Sequence, residues 1–248
     1  MNETFIRTRV ADGVGEVQLD RPGALNALDQ SMIRDMHSAL LQWRDDPAIT
    51  AVLVTSLSDR AFCAGGDVKP VREAVLADDM GTVREYDANE YRLDELVATD
   101  PKPYLARSAG VTFGGGVGIS VHGAVRVATE KAVFAMPETA LGFVPDVGSS
   151  HFLPRLRGTT ARCDAVGMYL GLTGARVTAG DALAVGLATH HVPSARIGEF
   201  ADRVRAGHWQ EALDEFVEPG PASHLADRFT DIEWVFGDGT VLDSLGRL

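Results

Sequence analysis

The stretch Ala61-Phe62-Cys63-Ala64-Gly65-Gly66-Asp67 decides the interpretation of this chain, together with a second glycine-rich turn, Gly114-Gly115-Gly116. A carbonyl group under attack develops negative charge on its oxygen, and two fixed backbone N–H groups stabilise that charge. Glycine lets such donors approach closely because it has no side chain. The N–H groups of Gly66 and Gly115 are therefore candidate donors, although each turn taken alone is more typical of an ordinary strand-to-helix connection.

Strand and helix patterns alternate on both sides of these turns. Apolar residues at helical spacing predict a helix from Asp29 to Trp43, and the charged stretch from Val68 to Thr99 is also mostly helical in pattern. This alternation predicts an α/β fold with helices packed on a sheet. Short apolar runs predict the strands Phe5–Val10, Gly15–Leu19, Ala51–Val54, Tyr104–Ala109, Arg126–Ala128 and Thr189–Val192, with a hairpin turn at Asp12-Gly13.

Two carboxylates stand in a segment that is otherwise apolar and rich in glycine and proline. They belong to Met136-Pro137-Glu138-Thr139 and Pro145-Asp146-Val147-Gly148. Apolar surroundings raise the pKa of a carboxyl group and suit it to general acid or base catalysis. Any single acidic residue is more simply a helix cap or a solvated side chain, so Glu138 and Asp146 are candidates only as a pair.

Composition excludes several classes of function. The chain has 248 residues, two cysteines and a formal net charge of −12. An acidic protein is a poor partner for nucleic acid or for an anionic membrane. Two cysteines do not make a disulfide framework, and the chain shows neither a signal-peptide core nor a membrane-spanning run. We therefore expect a cytoplasmic protein with no nucleic-acid or membrane partner.

Other candidate sites weaken on inspection. His190 and His191 alternate across a predicted strand, so both do not readily face one metal ion, and His122 is typical of a core or capping residue. Cys63 is more simply a packing residue, although it lies in a glycine-rich loop. The dinucleotide, phosphate-loop, zinc-protease and nucleophile-elbow motifs are absent. We expect no metal and no cofactor.

The order of these features resembles the crotonase, or enoyl-CoA hydratase/isomerase, superfamily. The matching stretches are Leu19-Asp20-Arg21-Pro22, Ala24-Leu25-Asn26-Ala27-Leu28, residues 61–67 and residues 114–116. The resemblance implies a crotonase-like ββα spiral (the ClpP/crotonase fold) over residues 1–200, a helical C-terminal extension at 201–248, and assembly as a homotrimer or a dimer of trimers. It also implies that Gly66 and Gly115 form an oxyanion hole for an acyl-CoA substrate.

The resemblance further assigns the coenzyme A contacts. The loop from Ala64 to Asp67 would hold the adenine end, Lys69 is a candidate phosphate contact, and Arg21 is a weaker one. Within the superfamily, the chain most resembles the 3-hydroxyisobutyryl-CoA hydrolases of valine catabolism. That likeness adds Glu90 to the substrate site. The closer matches are Glu90-Tyr91, Lys102-Pro103-Tyr104, residues 114–118, Val121-His122-Gly123, residues 126–131, residues 135–139, residues 145–148 and residues 152–156.

One position bears on the choice between reactions. Typical hydratases carry a glutamate shortly after the triple glycine, where this chain has Gly118. Hydration of a double bond needs both a base and an acid, so the loss of one carboxylate favours hydrolysis. A hydratase or isomerase acting on 2-enoyl-CoA remains the first alternative, with Asp146 as the substitute acid. A non-catalytic acyl-CoA-binding subunit is the second alternative. The route of hydrolysis, through a covalent anhydride or an activated water, is also open.

Three features depart from the resemblance. Arg107 stands in a predicted buried strand, so we expect it to face solvent, a partner subunit or an acidic residue. Ser149-Ser150 replace smaller residues after Asp146. Hydrolases of this type are longer than this chain, so the helical C-terminal extension at 201–248 is interpreted as truncated. The residues after Pro219-Gly220-Pro221 have the character of a loosely attached segment.

Overall fold

The computed structural model describes residues 4–156, 163–237 and 239–247, without the side chain of Cys163. Its strands are β1 (Ile6–Ala11), β2 (Val14–Leu19), β3 (Ala51–Ser56), β4 (Ala61–Cys63), β5 (Tyr104–Ser108), β6 (Val111–Phe113), β7 (Val125–Ala128), β8 (Val133–Ala135), β9 (Val177–Thr178) and β10 (His190–His191). Its helices are α1 (Gln30–Arg44), α2 (Val68–Leu76), α3 (Met80–Thr99), α4 (Gly115–Val121), α5 (Ser149–Phe152), α6 (Cys163–Thr173), α7 (Ala179–Val185), α8 (Ile197–Arg205), α9 (Trp209–Phe216), α10 (Phe229–Phe236) and α11 (Val241–Arg247).

The strands form two sheets that the chain visits in alternation. One sheet has the order β1-β2-β3-β5-β7-β10, and the other has the order β4-β6-β8-β9. After the β1–β2 hairpin, each pair of consecutive strands, β3 with β4, β5 with β6 and β7 with β8, places one strand in each sheet. Helices follow the first two pairs, so the chain advances by ββα steps. The described residues thus form the predicted α/β arrangement with ββα repeats.

Local sequence signals account for the first elements. Asp12 and Gly13 both have positive φ, 47° and 78°, as the turn of a two-residue hairpin requires. Helix α1 begins where the side chain of Asp29 accepts hydrogen bonds from the backbone N–H groups of Ser31 and Met32. The predicted apolar face of α1 is buried, and it consists of Met32, Ile33, Met36, Leu40 and Trp43. No helix within the described ranges combines the length and apolarity needed to cross a membrane.

The region after Pro221 differs from the expectation of a loosely attached segment. Leu225, Phe229 and Ile232 are buried in one cluster with residues of α6 and α7. The carboxylate of Asp181 also accepts hydrogen bonds from the Leu225 backbone N–H at 2.8 Å and from the Ser223 hydroxyl at 2.9 Å. Helix α10 therefore belongs to the packed body, because its apolar face completes the cluster. The predicted division at residue 200 stays a prediction.

Arg107 lies beside a buried ion pair. The Glu16 carboxylate on β2 is nearly inaccessible and accepts two hydrogen bonds from the Arg205 guanidinium, at 2.7 and 3.0 Å. Arg107 lies close enough to Glu16 and Arg205 for their charges to act on it, and it donates to the backbone oxygen of Ser56 at 2.8 Å. Arg107 thus lies near an acidic residue, one of its three expected surroundings, but within the described residues it makes no direct ion pair with Glu16.

We predict that Arg205→Ala lowers the free energy of unfolding by about 3 kcal/mol, because the Glu16 carboxylate then stays buried without its main partner. Urea denaturation measures this change. Arg203→Ala on the same helix is the matched control, since the Arg203–Glu215 pair is exposed and 4.0 Å apart. It is expected to cost less than about 1 kcal/mol. Equal losses in the two variants would contradict the argument.

Candidate active site

Three neighbouring strands of the second sheet bring the glycine-rich turns and Glu138 together. Strand β4 pairs with β6, and β6 pairs with β8, in both cases in parallel. The carboxyl ends of parallel strands meet at the same edge of a sheet. The segments that follow these strands are Ala64–Asp67, Gly114–Gly115 and Pro137–Glu138, so the three segments lie side by side.

The two candidate amides lie close together and are free of the local backbone pairing. Gly66 forms an isolated bridge with Leu28, but the hydrogen bonds of that bridge use the Gly65 oxygen and the Asp67 nitrogen, each at 2.8 Å. Gly115 is the first residue of α4, where the helix leaves N–H groups without intrahelical acceptors. A Cβ added to Gly115 would lie 3.4 Å from the Gly66 nitrogen. Both predicted donors therefore border one small space.

Glycine is required at the residues that precede these amides. Gly65 has φ +106° and Gly114 has φ +49°, conformations that favour glycine over residues with a side chain. A Cβ on Gly114 would also lie 2.8 Å from Oε1 of Glu138. Glycine thus allows backbone conformations at residues 65 and 114 that a side chain would disfavour. The Glu138 carboxyl fills the space that a side chain at residue 114 would take.

Glu138 has the surroundings of a general base. Its side chain is only 8% exposed, and its Oε2 atom has no hydrogen-bond partner among the described residues. Burial and the charge of Asp146 together raise the pKa of Glu138 to about 7, against a hydrogen bond from its own backbone that lowers it. A carboxyl group with a pKa near neutrality exchanges protons readily under working conditions.

Asp146 is held at the rim of the site. Its Oδ2 atom accepts a hydrogen bond of 2.8 Å from the hydroxyl of Tyr91, a side chain that is 40% exposed. The backbone around Asp146 is fixed by the Ser149 N–H, which donates to the Asp146 oxygen at 2.7 Å, and by His122, whose Nε2 lies 2.9 Å from the Val147 oxygen. Burial raises the pKa of Asp146, and the Tyr91 hydrogen bond opposes that rise.

Glu90 enters the site from helix α3. It is buried, and its Oε1 atom lies 2.2 Å from the position of a Cβ on Gly115, so it occupies the space beside the candidate oxyanion donor. Burial raises the pKa of Glu90 to about 8, with further contributions from the charges of Asp146, Asp87 and Glu138. The structure therefore brings together Gly66, Gly115, Glu90, Glu138 and Asp146, as the sequence predicted.

Sequence reasoning missed other residues on the same face of α3. Asp94 is buried, and neither of its carboxyl oxygens has a partner in the described part of the chain. Asp87 lies near enough to act electrostatically on Glu90. The residues 87, 90, 91 and 94 recur at helical spacing, and this pattern was the available signal. A run of acidic residues on a helix is usually solvated, which is why the pattern alone did not indicate a site.

The environment of Gly118 explains why this position has no side chain. A Cβ there would lie 2.7 Å from Cβ of Val147 and 2.9 Å from Oδ1 of Asp94. The space next to Gly118 is thus filled by a carboxyl group that comes from α3. A glutamate at residue 118 would require both neighbours to move.

The predicted coenzyme A contacts lie at the outer end of the site. Asp67 caps α2, and its carboxylate pairs with Arg21 at 2.8 Å, so these two candidates already bind each other. Lys69 is exposed, and Ala64 is half-buried with its N–H donating to the Leu25 oxygen at 3.0 Å. A cavity of about 480 Å³ opens beside Asp67, and its lining includes Asp29, Gln30, Arg34, Thr82 and Tyr86.

The remaining candidates have structural roles. Cys63 is fully buried, and burial raises the pKa of its thiol to about 12, so it is a poor nucleophile. His190 contacts Thr189, and His191 is buried near Glu130. Among the described residues, no group of histidine, cysteine and acidic side chains has the arrangement of a metal site. A larger cavity of about 880 Å³ lies elsewhere, lined by His122, Arg126, His151 and residues of α7, and it contains none of the site carboxylates.

Comparisons with known proteins agree with this geometry. A family model described as Enoyl-CoA hydratase/isomerase matches residues 14–248. The 3-hydroxyisobutyryl-CoA hydrolase of Gallus gallus is 43% identical over 221 residues, which are 83% of this chain and 56% of that protein. The Homo sapiens protein of the same name is 44% identical over 183 residues, 74% of this chain and 46% of that protein. The chain spans about half the length of these curated relatives.

Solved structures show the same fold. A carnitinyl-CoA dehydratase from Mycobacterium thermoresistibile superposes with a TM-score of 0.92 at 37% identity, covering 99% of this chain and 70% of that one. An enoyl-CoA hydratase from Rhodobacter sphaeroides 2.4.1 gives a TM-score of 0.90 at 34% identity, covering 98% and 69%. The predicted crotonase-like fold is confirmed, and the chain belongs to the enoyl-CoA hydratase/isomerase family.

Proposed function

We propose that this protein hydrolyses an acyl-CoA thioester and that 3-hydroxyisobutyryl-CoA is its substrate. The observation that carries the proposal is the Glu138 carboxyl, buried with a free oxygen and a pKa of about 7, beside the paired turns of Gly66 and Gly115. The names of the curated relatives support the reaction and the acyl group.

In the proposed reaction, the thioester oxygen lies between the N–H groups of Gly66 and Gly115. These donors need no reorganisation as charge develops, because the backbone of both turns is fixed by β4, β6 and the start of α4. The helix N-terminus at Gly115 adds a favourable dipole. In this proposal, the two N–H groups and the helix dipole stabilise the oxyanion, and neither a metal ion nor a cofactor is needed.

Glu138 then either activates water against the carbonyl carbon or attacks it directly to form an anhydride. In both routes the thioester C–S bond breaks and coenzyme A leaves as the thiol; in the first route Glu138 returns the proton that it took from water, and in the second the proton comes from solvent. In the second route water then hydrolyses the anhydride, which releases the free acid and restores the Glu138 carboxylate. Asp146, held by Tyr91, orients the 3-hydroxyl of the acyl group or the attacking water. Glu90 positions the acyl group beside Gly115. Ala64, Asp67 and Lys69 contribute to the binding of coenzyme A.

Hydration or dehydration of a 2-enoyl-CoA is a second candidate. The observation that favours it is the presence of carboxyl groups other than Glu138, namely Asp146 and Asp94, which would supply the second acid. The names of the two similar solved structures belong to this class. The close contact of Gly118 with Val147 counts against it, because position 118 does not accept a catalytic glutamate without rearrangement.

The proposal extends to assembly and location. We expect a homotrimer or a dimer of trimers in the cytoplasm, and sedimentation of the purified protein tests the assembly. The names of the two curated relatives describe those proteins as mitochondrial.

The first test is the release of free thiol from 3-hydroxyisobutyryl-CoA, measured beside the hydration of crotonyl-CoA. We expect rapid thiol release and little loss of the crotonyl double bond. Hydration of crotonyl-CoA without thiol release would replace the hydrolase proposal with the hydratase alternative. Binding of both esters without turnover would instead support a non-catalytic subunit.

A second prediction concerns Glu138→Gln. Because the amide neither accepts a proton from water nor forms an anhydride, we expect thiol release to fall by about 10²–10⁴-fold. Affinity for acyl-CoA, measured by calorimetry, is expected to change little. Glu95→Gln, on the exposed side of α3, is the control and is expected to keep full activity. Near-normal turnover in Glu138→Gln would remove this residue from the mechanism.

The pKa of Glu138 predicts a pH dependence. The base acts in its ionised form, so kcat/KM is expected to fall as pH drops below about 7, by about tenfold per pH unit. A pH–rate profile at constant ionic strength measures this limb. A limb near the ordinary pKa of a glutamate, about 4.3, would show that the buried carboxyl is not the titrating base.

A further inference from the structure

The site contains more acidic groups than hydrolysis requires. Asp87, Glu90 and Asp94 come from α3, Glu138 follows β8, and Asp146 lies in the loop before α5. Their charges act on one another: Glu90 is influenced by Asp87, Glu138 and Asp146, and Asp94 by Glu90 and Asp146. We call these five residues the carboxyl cluster.

The carboxyl cluster has no basic counterpart. None of its members takes part in an ion pair within the described residues, and the one direct hydrogen bond to a neighbouring side chain is that from Tyr91 to Asp146. Buried acidic groups elsewhere in the described residues have partners: Glu16 pairs with Arg205, and Asp181 accepts hydrogen bonds from Ser223 and Leu225. Buried carboxyl oxygens without partners are thus a feature of this cluster.

Several hydrogen-bonding atoms of the cluster are left without partners. Asp94 is 5% exposed and Glu138 is 8% exposed, yet both oxygens of Asp94 and Oε2 of Glu138 lack partners in the described part of the chain. Oε1 of Glu138 lies against Gly114, at the edge shared with the candidate oxyanion donors. Burying a hydrogen-bond acceptor without a partner costs free energy. Such burial is explained when a ligand donates a hydrogen bond to the acceptor.

The cationic groups near the site lie at its other end. Lys69 is exposed at the start of α2, and Arg21 is paired with Asp67. If coenzyme A binds as proposed, its phosphates are directed toward this end and its acyl group toward the carboxyl cluster. The two ends of the site then differ in charge preference.

We infer that the carboxyl cluster selects acyl groups by charge. Acyl groups that carry a hydroxyl or an ammonium group near the thioester are accepted, because these groups donate to the unused carboxyl oxygens. Acyl groups that carry a carboxylate in the same place are rejected, because the cluster offers no cation to pair with it and a buried unpaired carboxylate is costly. This inference rests on the proposed function for the placement of the acyl group.

A matched set of four esters tests the inference, since all four have the same branched carbon skeleton. Isobutyryl-CoA, 3-hydroxyisobutyryl-CoA, 3-aminoisobutyryl-CoA and methylmalonyl-CoA place a methyl, a hydroxymethyl, an aminomethyl and a carboxylate at one position. Kd is measured by competition, and kcat/KM is measured by thiol release. Each kcat/KM is divided by the rate of hydroxide-catalysed hydrolysis of the same ester, which removes differences in intrinsic reactivity.

We expect methylmalonyl-CoA to be disfavoured at least about 100-fold relative to 3-hydroxyisobutyryl-CoA in corrected kcat/KM, the scale of burying a charge without a partner. The amino ester is expected within about tenfold of the hydroxy ester. Methylmalonyl-CoA bound and hydrolysed within about tenfold of the hydroxy ester would overturn the inference and leave hydrolysis intact. The same order of Kd values without any thiol release would support charge selection and reject hydrolysis.

Asp87 is the residue whose change isolates the charge effect. It is half-buried and is the first residue of the carboxyl cluster along α3. Burial and the charge of Asp146 raise its pKa. In Asp87→Asn, the preference for the hydroxy ester over methylmalonyl-CoA is expected to fall at least about threefold. Glu95→Gln, on the exposed side of the same helix, is expected to leave the preference unchanged. An equal preference in Asp87→Asn and the parent protein would remove Asp87 from the selection.

Discussion

The parallel pairing of β4, β6 and β8 is the constraint on which the site depends. Because these strands are adjacent and point the same way, the segments that leave them converge at one edge. Two of those segments carry the candidate backbone donors, and the third carries a carboxyl group. The candidate donors follow Gly65 and Gly114, whose positive φ values favour glycine at the turn before each amide.

The sequence predicted this edge well, since its signals are local. Glycine-rich turns, the Asp29 cap and the apolar face of α1 each depend on neighbouring residues in the chain. The resemblance to known enzymes then related the separate motifs, supported the candidate pair Glu138 and Asp146, and added Glu90. These residues do lie together, although their roles in a reaction stay predictions.

Features that depend on distant residues were not predictable. The hydrogen bond between Tyr91 and Asp146 joins residues 55 positions apart, and the pairing of Glu16 with Arg205 joins residues 189 apart. The burial of Asp94 follows from how closely α3 packs on α4, which no single-residue pattern specifies. The prediction that the C-terminal segment is loosely attached was wrong for the same reason, because Phe229 is buried in a cluster with residues distant from it in the sequence.

Helices α3 and α4 also limit each other's evolution. Glu90 lies where a side chain on Gly115 would be, and Asp94 lies where a side chain on Gly118 would be. A substitution that enlarges either glycine is tolerated only after the opposing acidic residue becomes smaller or leaves the interface. Residues 90 and 115, and likewise residues 94 and 118, should therefore change as couples during divergence. A lineage that gains a side chain on α4 would have to rebuild the facing turn of α3 first.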